Sequence, residues 1–131
     1  MEKTQYGFRK TLKIPYDEAI EKVTQALKEQ GFGILTQIDV KDTLKKKLNV
    51  DFRKYIILGA CNPPFAYQSL QAETEIGLLL PCNVIVYEDN SSNTAVSAID
   101  PESAMSMIDN PKLKQIAVQV STKLKAVIES L

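Results

Sequence analysis

Hydrophobic and polar positions alternate over Tyr6 to Ile14, where Tyr6, Phe8, Leu12 and Ile14 share one side with a single lysine, Lys10; this period of two predicts a strand. The period changes at Pro15. Ala19, Ile20, Val23, Ala26 and Leu27 recur at helical spacing. Pro15 suits a first helical turn because its missing N–H is not needed there, and Asp17 and Glu18 favour the positive end of the helix dipole. Gly31 reads as the residue just past the helix end. Phe32 to Ile38 predicts a second strand, with Ile34, Thr36 and Ile38 on one face and Leu35 on the other. Asp39 then caps a short helix from Val40 to Leu48, whose Val40, Leu44 and Leu48 lie on one side. Arg53 to Ala60 predicts a third strand, and the unbroken apolar run Tyr55-Ile56-Ile57-Leu58 predicts burial on both faces.

Pro63-Pro64 opens a helix that runs to about Ala72, with Phe65, Ala66 and Leu70 turned inward. Ile76 to Leu80 is apolar but short, and reads as a helix extension or a buried linker. Asn83 to Glu88 and Thr94 to Ile99 predict two strands joined by the polar turn Asp89-Asn90-Ser91-Ser92-Asn93. Asp100-Pro101 and Asn110-Pro111 each place a capping side chain before a proline and predict helix starts. The second opens the longest helix, over 111–131, with the stripe Leu113, Ile116, Ala117, Val120, Leu124, Ile128 and Leu131. The order β-α-β-α-β-α-β-β-α predicts a single α+β domain, with helices covering one face of a mainly antiparallel sheet.

Charge narrows the classes of partner. Sixteen basic residues balance sixteen acidic ones. That argues against nucleic-acid binding, which calls for a basic excess. Lys45-Lys46-Lys47 reads as the solvated face of a helix rather than a phosphate-contacting patch. No apolar run approaches the roughly 18 residues of a membrane span, and no apolar signal region follows Met1-Glu2-Lys3-Thr4, so the expected location is cytoplasmic, away from the membrane. Zero net charge and the apolar Ile76 to Leu80 stretch predict a homodimer.

The chain has no histidine, which removes serine–histidine and cysteine–histidine catalysis. Its two cysteines, Cys61 and Cys82, are each followed by an asparagine, Asn62 and Asn83, and each stands at the junction of two elements. They are the candidate thiol site, for redox, sulfur-handling or soft-metal chemistry, with Asn62 and Asn83 as the residues to orient them and Asp39 or Asp100 as nearby polar support. Their separation in sequence excludes a C-x-x-C redox pair. Cys61 precedes the helix that starts at Pro63, so a helix N-terminus would stabilise its thiolate and make it the more reactive thiol. A metal at Cys61 and Cys82 would need further ligands, for which Asp39, Asp100 or a second subunit are the candidates. Each residue also has an ordinary reading. Buried cysteine packs as a small hydrophobe, Asp39 and Asp100 are placed as N-caps, and Asn62 and Asn83 suit turns.

Several segments, in order, resemble the family called domain of unknown function 302. They are Gly33-Ile34-Leu35-Thr36-Gln37-Ile38-Asp39-Val40, the run from Tyr55 to Pro63, the run from Ile76 to Glu88, and Ile99-Asp100-Pro101. The resemblance implies a TATA-binding-protein-like, helix-grip fold, in which a curved antiparallel sheet wraps a long C-terminal helix. It also sets both cysteines inside signature segments. A fold of that kind suggests a second function from another class: a non-catalytic module holding a small apolar ligand between sheet and long helix, with Met105, Met107, Ile108 and the inner stripe of the last helix as its walls.

Overall fold

A computed structural model describes residues Met1 to Leu131. Six strands form one sheet in the order β1-β2-β6-β5-β4-β3, with every neighbouring pair antiparallel. The strands are β1 (Glu2–Lys3), β2 (Gly7–Leu12), β3 (Gly33–Asp39), β4 (Tyr55–Cys61), β5 (Cys82–Glu88) and β6 (Thr94–Ile99). The helices are α1 (Tyr16–Glu29), α2 (Val40–Leu48), α3 (Pro63–Ala72), α4 (Pro101–Ala104) and α5 (Pro111–Glu129), with a 3-10 segment at Thr74–Leu79. The expected α+β architecture holds, and the short β1 is an addition to it.

Helices α1 and α5 pack on one face of the sheet. Val23 and Leu27 of α1 and Val120, Leu124 and Ile128 of α5 meet Leu58, Val84, Val86 and Val96 in the main core. Removing each such side chain from water contributes roughly 1.5–3 kcal/mol, so α5 is held by its stripe. The end of α1 explains the first connection. Phe32 N–H donates to Leu27 O and Gly31 N–H to Lys28 O, while Gly31 takes φ +85. This is a Schellman closure, in which the left-handed residue must carry no Cβ to be unstrained, and the buried Leu27 and Phe32 add its apolar contact.

The structure changes two local expectations and bears out the solvated lysine face of α2. Pairing in β3 shifts between Ile34 and Thr36. Ile34 faces the core beside Ala60, Thr36 and Ile38 face the other side with Gly59 and Ile57, and Leu35 is squeezed out to 67% exposure. The run Tyr55 to Leu58 is not buried on both faces: Leu58 is fully buried, but Tyr55 and Ile57 are only half-buried because no helix covers the outer side. Helix α2 buries no residue. Its lysines pair with nearby acids, Lys46 with Asp42 and Lys45 with Asp51, as a solvated face does.

Candidate functional site

A cavity of about 340 Å³ opens at one end of the sheet, where β4 finishes, β5 begins, and α3, α4 and α5 converge. Thirteen of its eighteen lining residues are hydrophobic. Ile116, Ala117 and Val120 of α5 form one wall. Phe65, Ala66 and Leu70 of α3 form the facing wall, which is the side of that helix the sequence turns inward. Met105 completes it beside Pro101, and Leu80 and Pro81 lie across from them. The exposed Leu35 of the β3 bulge stands in the lining too. No periodicity points to that residue, since the bulge is set by the pairing of β3 with β4.

Both cysteines belong to this lining. Cys61 closes β4 opposite Gly33, and Cys82 opens β5 opposite Ala60. They do not form a close pair. Both are free, with no disulfide between them, and Cys61 is one residue beyond Ala60, the ladder partner of Cys82. Cys61 is half-buried and Cys82 buried. Burial pushes the Cys82 thiol up to about 11, with a smaller contribution from Cys61, so it is protonated at neutral pH. A dithiol centre has no basis in this arrangement.

The candidate supporting residues separate. Asn62 lines the cavity and donates its amide N–H to Gln30 O at 3.3 Å, which ties the start of α3 to the end of α1. Its side chain makes no cap to α3. Asn83 is exposed on the other face of the sheet, beside Ile85 and Tyr87, and cannot orient Cys82. Asp39 lies at the far end of β3, opposite Ile56, whereas Cys61 is opposite Gly33 at the near end. It accepts from Asp42 N–H at 2.9 Å as the N-cap of α2.

Asp100 sits at the same end of the sheet as the cysteines but is fully engaged. Its carboxylate accepts from Ser121 Oγ at 2.6 Å, Ser103 Oγ at 2.8 Å and Glu102 N–H at 3.1 Å. Lys3 Nζ stands 3.3 Å away. Burial alone would raise this carboxyl, but the serine bonds and the Lys3 ammonium outweigh it and hold it below its ordinary value. Asp100 therefore joins α4, α5 and β1 as a structural link. No group of three or more Cys, Asp or Glu is gathered to hold a metal ion. The expected walls Met107 and Ile108 also fall outside the cavity: Met107 is 83% exposed, and Ile108 packs on the small cluster of Ile76, Met105, Leu113 and Ala117.

Comparison with known proteins agrees with this geometry at the level of family. The family model described as domain of unknown function DUF302 matches residues 8–131. A crystal structure of the uncharacterized conserved protein DUF302 from Bacillus stearothermophilus is similar at a TM-score of 0.89 and 31% identity, over 96% of this chain and 98% of that one. No curated protein matches. The chain belongs to the DUF302 family.

Proposed function

We propose that this protein binds a small, largely apolar molecule in the cavity at the end of the sheet, without a reaction centred on its thiols. The observation that carries this reading is the cavity itself: about 340 Å³, with a lining dominated by hydrophobic side chains. That volume falls in the range of about 300–1,000 Å³ typical of small-molecule sites. Apolar surface moved from water into such a space is favourable in proportion to its area. The polar side chains at the wall are few. Ser69 is already bonded to Phe65 O at 2.8 Å within α3, which leaves Asn62 and Cys61 as the groups able to meet a polar atom of the ligand. An apolar body carrying one polar group fits that distribution.

A thiol-centred redox or soft-metal function has less support. Cys82 keeps its proton up to about pH 11, and no third ligand accompanies the two sulfurs. The test is a fluorescence titration with N-phenyl-1-naphthylamine, a neutral apolar probe. Saturable binding of one probe per chain is expected, with loss of binding in Ala66→Phe, which fills the cavity from α3. Probe binding that is absent, or that persists unchanged in a folded Ala66→Phe protein, would reject the reading.

A further inference from the structure

The uncovered face of the sheet carries a second signal. The pairing register assigns the outward positions of β2 to β6. They hold no lysine, aspartate or glutamate. Arg9 is the only charged residue among them, and Glu2 of β1 neutralises it at 3.1 Å. A sheet face turned to water normally alternates with charged side chains, and this chain does not lack them. Helix α1 alone carries Asp17, Glu18, Glu21, Lys22, Lys28 and Glu29. In place of charge the face presents Ile57, Ile85 and Ile99, with Tyr55 and Tyr87 stacked at 5.4 Å between ring centroids, among the uncharged polar side chains of Thr11, Thr36, Asn83 and Ser97. Aromatic side chains present while lysine, aspartate and glutamate are absent is a feature of protein interfaces.

We infer that this face is the contact surface of a symmetric homodimer, with the outer sheet faces of two copies packed together. Five strands at roughly 4.8 Å spacing and about six residues at 3.3 Å each give a footprint of about 500 Å² per copy. Two copies then bury about 1,000 Å², the lower limit for a specific interface and the size of a weak, concentration-dependent dimer. A second copy suits the face because an antiparallel sheet can oppose its own image across a two-fold axis, setting apolar centre on apolar centre. A chain with no net charge adds no long-range repulsion to that approach. In the Ile76 to Leu80 stretch Ile76 is buried inside its own chain while Leu78 and Leu79 are exposed, so that stretch offers a narrower contact than the sheet face.

Sedimentation of the full chain tests the inference across micromolar to millimolar concentrations. The wild type should shift from one chain mass of 14.6 kDa to twice that mass. Ile85→Lys should stay monomeric with an unchanged circular dichroism spectrum. Ser97→Glu, a smaller side chain on the same face, is the second variant should Ile85→Lys fail to fold. Val118→Lys, on the exposed side of α5, should dimerise like wild type. A wild type that remains monomeric throughout overturns the inference. So does a dimer that survives both sheet-face substitutions, which would place the contact elsewhere, and so does association only with a different protein.

Discussion

Val86 and Ile85 are consecutive on β5, yet they meet different environments. Val86 points into the core formed by α1 and α5 and is fully buried. Ile85 points to the uncovered face beside Tyr55 and Tyr87. The inner side owes its apolar character to packing within the chain. On the outer side β2 to β6 carry no lysine, aspartate or glutamate, and no element of the chain covers them. The difference teaches that alternation alone does not tell a core position from a contact position, since both favour the same residue types.

Matched substitutions separate the two faces, and the inner one carries the largest effect. Val86→Lys places an unpaired ammonium in the core, at a cost of several kcal/mol. That is comparable with the whole stability of a domain, about 5–15 kcal/mol. Circular dichroism should show an unfolded chain, whereas Ile85→Lys should melt cooperatively. A folded Val86→Lys protein would erase the distinction. Val120→Asp, on the cavity side of α5, should fail to fold for the same reason.

Asp100 gives the next effect. Asp100→Ala removes the acceptor of the Ser121 and Ser103 hydroxyls, while Glu102 N–H keeps Ser121 Oγ at 3.0 Å, and should lower stability by about 1–3 kcal/mol in urea unfolding. The pH dependence has a defined sign. The folded carboxyl titrates below its ordinary value of 3.8. Its contribution is therefore complete above about pH 4 and is lost as the pH falls through the lower folded value. Asp100→Asn should show a shallower loss of stability in that acid window than wild type, and an equal loss would remove the carboxylate from this role.

Cys82 acts in the opposite pH direction to Asp100. Cys82 titrates near 11 when folded against an ordinary value of 9.0. Its buried neutral form stabilises the fold fully below about pH 9, and that contribution fades as pH rises towards 11. Near pH 11 the loss amounts to about 2–3 kcal/mol. Cys82→Ala should flatten this alkaline decline. In alkylation of the native protein with iodoacetamide, the half-buried Cys61 should react first and Cys82 only after unfolding. Equal rates would contradict the asymmetry.

Much of the frame was legible in the residues. Asp39, Asp100 and Asn110 all cap helices as their positions before Val40, Pro101 and Pro111 suggest. Gly31 ends α1 in the left-handed region, and the stripe of α5 is buried at Ile116, Val120 and Leu124. The site was harder to read. Its walls come from segments far apart in sequence, and only their convergence makes a cavity. Gly59 illustrates the limit. It stands in a recognisable segment, but its reason is tertiary: a Cβ there would collide with Thr36 and lie 2.8 Å from Pro81. The bulge at Leu35 and the opposite exposure of Asn83 likewise follow from strand pairing, which alternation within one strand does not encode.

The central claim is that the cavity beside Cys61 receives an apolar molecule, and a crystal structure with N-phenyl-1-naphthylamine tests it most directly. The account predicts one probe between Phe65 and Val120, with its amine towards Asn62. A probe stacked instead on Tyr55 and Tyr87, or an unaltered cavity with no probe bound, would contradict it.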